Sequence, residues 1–242
     1  MPALRVCALY PDLMNIYADR GNIAVLRARC EWRGIGFELS ASSMGEPLDP
    51  EAADLFYMGG GQDRDQVAVA EDMVATKREA LHAAQERDAV ILAVCGGYQL
   101  LGSSYQLGDL ELPGVELVDL RTVREPGPRL IGNCAIESDL DGDSGERVIA
   151  GFENHGGRTY LGDRERPLGR VLNGFGNNGR DGLEGVHRGN TIGTYLHGPL
   201  LPKNIWLADR LIELALGIEL EPLADDSLED AAHMSARRAA GV

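Results

Sequence analysis

The chain has 242 residues, 44% hydrophobic and 25% charged, which is typical of a globular protein long enough to form one full core. Its 38 acidic and 23 basic residues give a formal net charge of −15, which argues against nucleic acid or an anionic membrane as the main partner. The four scattered cysteines, the absence of a signal-like N-terminus and the lack of an apolar run of about 20 residues predict a cytoplasmic protein with free thiols and no metal site.

The first half of the chain alternates between strand and helix patterns. Strand patterns cover 4–10, 37–42, 53–61 and 89–95, and helix patterns cover 17–34, 65–88 and a segment that starts at 96. Alternation of this kind predicts parallel βαβ units. We therefore expect an α/β fold with a doubly wound, mostly parallel sheet and helices on both faces.

The second half of the chain has a different texture. After residue 103, glycine, proline, asparagine and aspartate separate short alternating segments, which predicts β-hairpins and long loops. An amphipathic helix is expected over 203–216. We interpret 1–222 as one domain and 223–242 as a polar tail that is either mobile or bound to a partner.

A cysteine ends the fourth predicted strand, in the sequence AVCGGYQLLG (93–102). Cys95 is followed by Gly96 and Gly97 and then by a helix pattern. A sharp strand-to-helix turn presents its side chain above the sheet edge, and the start of a helix favours a thiolate. We interpret Cys95 as a nucleophile; the alternative is a small buried core residue.

A thiol nucleophile needs a base, and five histidines are available. His197, in TYLHGPL, ends an alternating segment before a Gly-Pro turn and is the best candidate. His155, in FENHGGRTY, is its competitor, although a structural role is the favoured reading for it. His187 lies at a predicted hairpin turn, and His82 and His233 are expected to face solvent.

Three glycines follow the third predicted strand, in the sequence MGGGQDRDQ (58–66). The backbone N–H of Gly60 or Gly61, together with that of Gly96, is a candidate oxyanion hole. A phosphate-binding loop or an ordinary loop would have the same glycines. Neither Lys77 nor Lys203 lies in a P-loop motif, so an ATP site is expected on a separate polypeptide.

Five segments resemble, in the same order, the CobB/CobQ-like branch of the triad-type glutamine amidotransferases. They span roughly residues 4–216 and read LYPDLMNIYADRGNI, YMGGGQDRDQ, AVCGGYQLLG, GFENHGGRTYLG and TYLHGPLLPKNIWLAD. The resemblance implies a flavodoxin-like glutaminase in which Cys95 attacks the side-chain amide of glutamine and His197 activates the thiol. It also implies that Arg129, in GPRLIGN, binds the α-carboxylate of glutamine; a surface arginine in a hairpin is the alternative.

The resemblance further implies a destination for the ammonia. It is strongest to glutaminase subunits that form a heterodimer with a Mur-ligase-like subunit, MurT, which uses ATP and Mg²⁺ to convert the D-glutamate of lipid II to D-isoglutamine. This chain is expected to hold no cofactor, and the complex is expected to act in the cytoplasm at the inner face of the membrane. Most amidotransferases carry a glutamate two residues after the histidine, where this chain has Pro199. We therefore expect a partner aspartate to orient His197 and the isolated chain to be a weak glutaminase.

Three alternatives remain open at this point. The chain could supply ammonia to another ATP-dependent amide synthesis, such as cobyrinate amidation. It could instead be a non-catalytic regulatory domain on the same fold, because a fold does not determine a function. A cysteine peptidase on a related fold is the third alternative.

Overall fold

A computed structural model describes residues 2–15, 19–140, 145 and 147–242. The strands, in chain order, are β1 Ala3–Leu9, β2 Gly36–Ser42, β3 Leu55–Met58, β4 Val90–Val94, β5 Ser104–Leu107, β6 Leu110–Pro113, β7 Leu120–Val123, β8 Leu130–Ser138, β9 Arg147–His155, β10 Arg158–Leu161, β11 Gly169–Asn173, β12 Leu183–Glu184, β13 Val186–Arg188 and β14 Thr191–Thr194. The α-helices are α1 Arg20–Glu31, α2 Asp63–Asp72, α3 Arg78–Glu86, α4 Gly96–Leu100, α5 Ile205–Leu216 and α6 Ser227–Ala239.

The central sheet has six strands in the order β2-β1-β3-β4-β14-β13. The first five are parallel, and β13 is an antiparallel edge strand. This is the strand order of flavodoxin-like folds. Every residue of β3 and β4 is buried, so both faces of the sheet are covered there, because successive side chains point to opposite faces. The predicted α/β fold with a mostly parallel sheet is confirmed.

The helix predicted over 65–88 is interrupted. Helices α2 and α3 are joined by a π-helical turn, Met73–Lys77. The buried Nζ of Lys77 donates to the backbone oxygens of Ser43 and Glu46, both at 2.9 Å, and pairs with Asp72 at 3.0 Å. The turn therefore connects the helical segment to the loop after β2 through the hydrogen bonds of Lys77. Helix periodicity does not reveal such a long-range contact.

The second half adds two smaller sheets, as the turn-rich sequence predicts. One has the order β10-β7-β5-β6, and the other, β12-β11-β8-β9, is antiparallel throughout. Strands β8 and β9 form a long hairpin in which Leu130 pairs with His155 and Ser138 pairs with Arg147. This hairpin carries two of the candidate site segments.

The segment 223–242 is not a free tail. It forms α6, which packs on the body of the fold through polar contacts rather than a broad apolar face. Asp226 pairs with the fully buried Arg29, and Asn133 and Asn173 donate to the backbone oxygens of Ala239 and Ala240. These anchors lie far away in the sequence, so the local pattern does not reveal them, and the expected binding of this segment to a partner stays a prediction.

The four cysteines are free and buried, in agreement with the expected free thiols. Among the described residues, no helix combines the length and the apolar character that crossing a bilayer requires.

Candidate active site

Cys95 occupies the sharp turn between β4 and α4. Its backbone has φ 53° and ψ −106°, a conformation that non-glycine residues rarely adopt. A Cβ on Gly97 would lie 2.9 Å from the backbone oxygen of Met58 and 3.0 Å from that of Gly59. Glycine therefore lets the loop after β3 approach the start of α4, and the turn has the shape that the sequence predicts.

The thiol of Cys95 is held in its neutral form. The residue is 7% exposed, and its pKa is raised to about 12, mainly by burial and secondly by the carboxylate of Asp19. The amide of Gly96 and the positive charge of Arg129 lower the pKa, but they do not cancel the effect of burial. A base must therefore remove the proton before the sulfur can attack.

His197 lies three residues beyond β14 rather than at the end of that strand. Its backbone pairs with Phe152 of β9 in an isolated antiparallel bridge, with N–O distances of 2.9 and 3.0 Å. Burial is the largest cause that lowers the pKa of the imidazole, and with the electrostatic effects of nearby groups, among them Lys203 and Arg129, it brings the pKa to about 4. The ring is neutral at pH 7 and can accept a proton.

Cys95 and His197 follow neighbouring strands of the central sheet. Strands β4 and β14 are parallel, with Val94 opposite Thr194, and the amide of Cys95 donates to the backbone oxygen of Thr194 at 2.8 Å. The charge of Arg129 acts on the pKa of both side chains. The thiol and the imidazole thus belong to the same carboxyl edge of the sheet, where open α/β folds bind ligands.

Arg129 precedes β8 and is exposed. Its Nε donates to Oδ1 of Asn154 and its Nη2 to the backbone oxygen of Asn154, both at 2.8 Å. These two bonds fix the guanidinium at the end of the β8–β9 hairpin. An oriented guanidinium beside the candidate nucleophile fits the expected role in binding a carboxylate.

The predicted oxyanion hole needs one correction. The N–H of Gly60 donates to Oδ2 of Asp19 at 2.9 Å, so this amide already has an acceptor. The backbone nitrogen of Gly61 lies 3.0 Å from the position that a Cβ on Gly96 would take. Gly61, which the sequence offered as the alternative to Gly60, is therefore the better partner for the amide of Gly96.

His155 has the surroundings of a structural residue. It is buried, its Nδ1 lies 2.9 Å from the backbone oxygen of Gly157, and its Nε2 lies 3.5 Å from Oε2 of Glu153. Its ring stacks on Tyr195 with a centroid distance of 3.5 Å. This packing favours the structural reading over the competing role as general base.

Sequence reasoning missed Glu184, which is fully buried behind the segment that leads to His197. Its carboxylate accepts from the amide of Tyr195 at 2.6 Å and from Oγ1 of Thr194 at 3.0 Å, and that hydroxyl oxygen in turn accepts from the amide of Leu196 at 3.0 Å. Burial raises the pKa of Glu184 to about 8. A glutamate in a glycine-rich loop gives no sequence signal for this role.

Comparisons with known proteins show the family to which the chain belongs. A model of the CobB/CobQ-like glutamine amidotransferase domain matches residues 5–205. A Staphylococcus aureus relative named "Lipid II isoglutaminyl synthase (glutamine-hydrolyzing) subunit GatD" is 40% identical over 231 residues, 94% of this chain and 91% of the relative. The protein of that name from Streptococcus pneumoniae is 38% identical over 214 residues, 88% of this chain and 80% of the relative.

A solved structure is similar in fold. The structure of PurLQS from Thermotoga maritima matches with a TM-score of 0.59 and 19% identity, covering 90% of this chain and 99% of that chain. At this identity the similarity concerns the fold alone.

Proposed function

Since the chain belongs to the CobB/CobQ-like glutamine amidotransferase family, we propose that it is the glutaminase subunit of a lipid II isoglutaminyl synthase. It releases ammonia from L-glutamine for the amidation of the D-glutamate α-carboxyl of lipid II to D-isoglutamine. The observation that carries the chemistry is the strained turn that holds Cys95 beside the segment of His197. The two GatD relatives described above match over 88% and 94% of this chain and carry the lipid II name, which favours this acceptor over cobyrinate.

The reaction needs one proton carrier and one nucleophile. The thiol of Cys95 gives its proton to the neutral imidazole of His197, and the sulfur attacks the side-chain amide carbon of glutamine. The amides of Gly96 and Gly61 stabilise the oxyanion of the tetrahedral intermediate. The imidazolium then protonates the amide nitrogen as its C–N bond breaks, which releases ammonia, and water hydrolyses the γ-glutamyl thioester to glutamate and free thiol.

The charges of the site support a conditional activity. Burial favours the neutral forms of both Cys95 and His197, so the thiolate–imidazolium pair is disfavoured in the resting chain. Pro199 stands where most amidotransferases carry an orienting glutamate. A carboxylate that a partner brings to the imidazole would stabilise its protonated form and its orientation.

That partner is a Mur-ligase-like subunit of the MurT type. It binds ATP and Mg²⁺, activates the acceptor carboxyl and receives the ammonia, while this chain holds no cofactor. The heterodimer works in the cytoplasm at the inner face of the membrane, where lipid II is synthesised. The name "subunit" in both relatives supports a second polypeptide.

The test measures glutamate release from glutamine by this chain alone and with the Mur-ligase-like subunit, ATP and lipid II. We expect weak hydrolysis alone and a strong increase in the complex. Cys95→Ala should abolish glutamine-dependent amidation, while free ammonium should restore amidation because the synthetase half remains intact. Cys30→Ala, which removes a buried thiol from α1, is the control that should retain turnover.

Three results would each contradict one part of the proposal. If the Cys95→Ala variant still supports glutamine-dependent amidation, Cys95 is not the nucleophile. If the isolated chain has full glutaminase activity, it does not require a partner for catalysis. If the complex amidates cobyrinate instead of lipid II, the proposed acceptor is wrong.

A further inference from the structure

Asp19 is a buried carboxylate that the glutaminase reaction does not use directly. It holds the N-cap position of α1, where an aspartate ordinarily accepts a hydrogen bond from the first turn of its own helix, but its side chain makes no such bond. Its Oδ2 instead accepts from the amide of Gly60 at 2.9 Å. Its Oδ1 is also buried and has no hydrogen-bond partner within the ranges that the structure describes.

The bond to Gly60 holds the glycine loop from behind. A Cβ on Gly59 would lie 3.0 Å from Oδ2 of Asp19, so the loop and the carboxylate are in close contact. The next amide in the chain is that of Gly61, which lies beside Gly96. Rotation of the Gly60 peptide would move Gly61, because consecutive peptide planes share a Cα atom. The orientation of the proposed oxyanion donor therefore depends on the contact with Asp19.

The same end of α1 also contacts the segment that follows His197. A Cβ on Gly21 would lie 2.7 Å from Cγ of Pro199, and Oδ1 of Asn22 accepts from the amide of Leu201 at 2.8 Å. The start of α1 thus lies between the glycine loop and the histidine segment, with Asp19 on the side of the loop.

The charge of Asp19 is poorly compensated. Burial raises the pKa of Asp19 to about 6, although the hydrogen bond from the Gly60 amide opposes this rise. Within the described chain, no cationic side chain offsets the negative charge of Asp19. The ionisable groups that share its field are Cys95, whose pKa it raises, and Tyr57, whose hydroxyl bonds the backbone oxygen of Asp19. Two charged groups on other elements also affect the pKa of Cys95: Asp63 raises it and Arg129 lowers it. The charge of Asp19 disfavours the thiolate of Cys95, whereas its contacts with Gly59 and Gly60 hold the glycine loop.

We propose that Asp19 is a positioning residue of the proposed glutaminase: its buried carboxylate fixes the Gly60 peptide so that the Gly61 amide faces the oxyanion beside Cys95. This inference rests on the proposed function. The acceptor oxygen is the required feature, and the negative charge is a cost that the site carries.

The test compares Asp19→Asn, which keeps an acceptor oxygen and removes the charge, with Asp19→Ala, which removes both. In the complex with the Mur-ligase-like subunit, Asp19→Ala should lower kcat for glutamine hydrolysis roughly 10- to 100-fold, as expected when an oxyanion donor is misplaced. Its KM should change little, because the substrate carboxylate is bound elsewhere. Asp19→Asn should keep kcat within about threefold of the parent. Asp12→Ala, on an exposed side chain of the same segment, is the control.

A second readout does not depend on turnover. Alkylation of Cys95 by iodoacetamide, followed by peptide mass spectrometry between pH 7 and 9, reports the fraction of thiolate. Asp19→Asn should react roughly 3- to 10-fold faster than the parent, because a like charge is removed. Faster alkylation together with a preserved kcat would show that the site requires the acceptor oxygen of residue 19 and not its negative charge.

The outcomes separate the two proposals. If the parent complex does not hydrolyse glutamine, the proposed function fails, and unchanged alkylation in Asp19→Asn then overturns the inference as well. If the parent is active and Asp19→Ala retains its kcat, or Asp19→Asn loses as much as Asp19→Ala, the inference fails while the glutaminase stands.

Discussion

At the scale of single residues, the candidate site combines a neutral thiol with a neutral imidazole. Cys95 has a pKa of about 12 and His197 one of about 4, both because of burial. Such a pair transfers its proton only when substrate or a partner changes the surroundings. This protects a reactive cysteine from unproductive chemistry, since the nucleophilic thiolate is rare in the resting site.

Arg129 provides a prediction at this scale. Because its guanidinium is exposed and oriented by Asn154, Arg129→Ala should raise KM for glutamine about 10- to 100-fold, which corresponds to about 1.4–2.8 kcal/mol. The KM of Arg129→Lys should lie between that of the parent and that of Arg129→Ala, since an ammonium lacks the planar, two-pronged geometry of a guanidinium. Steady-state kinetics of the complex measure this effect.

The matched control is Arg121→Ala, which removes another exposed arginine, one that lies over the ring of Tyr160 at 5.7 Å. It should leave KM unchanged. An unaltered KM in Arg129→Ala would remove Arg129 from the substrate site.

At the scale of elements, the segment after β14 places His197, the proposed general base. Glu184 of β12 holds Thr194 and Tyr195, and the bridge to Phe152 then fixes the backbone of His197. The central sheet and the β8–β9 hairpin therefore meet at the histidine. The base is positioned by two sheets rather than by the strand that precedes it.

Glu184 gives a prediction for stability against pH. Its pKa is about 8 in the folded chain against an ordinary value of 4.5, so between these values the folded state holds a proton that the unfolded chain has lost. The free energy of unfolding should therefore decrease as the pH rises through this window, by on the order of 1 kcal/mol per pH unit. Glu184→Gln should remove this contribution.

Urea unfolding of the parent and of Glu184→Gln at pH 5, 6, 7 and 8 measures the difference. The other titrating groups are shared by both proteins, so they cancel in the comparison. Equal pH slopes would mean that Glu184 is ionised in the folded chain.

At the scale of the whole molecule, α6 closes the fold on the side of α1 and α5. Arg29 of α1 is fully buried and is bound by Asp209 of α5 and Asp226 at the start of α6. His233 of α6 also contacts the backbone oxygen of Lys203 at 2.7 Å, close to the histidine segment. The C-terminal segment thus packs against the elements that carry the candidate site.

Asp226→Asn should lower the free energy of unfolding by about 1–2 kcal/mol, because a buried guanidinium loses one of its two carboxylates. Denaturant unfolding with a probe of the whole chain measures this loss. Asp225→Asn, at the neighbouring position, is the control, since Asp225 bonds only to Ser227 among its described contacts and should leave the stability unchanged. Equal stability of the two variants would show that α6 is not anchored through Arg29.

The sequence by itself determined the features that depend on local pattern. Alternating strand and helix patterns predict the parallel sheet, and Cys95-Gly96-Gly97 at the end of an apolar run predicts the turn that presents the thiol. These signals are local because backbone conformation and burial of a short strand depend on residues within one segment.

The tertiary structure decided which distant groups satisfy one another. In the fold, the amide of Gly60 donates to Asp19, the backbone of His197 pairs with that of Phe152, and Asp226 at the start of α6 forms an ion pair with Arg29. Buried amides, carboxylates and guanidinium groups must find partners, but their periodicity does not reveal which segment supplies them. For that reason the candidate nucleophile could be proposed from the sequence, whereas the groups that contact the glycine loop and the His197 segment became visible only in the fold.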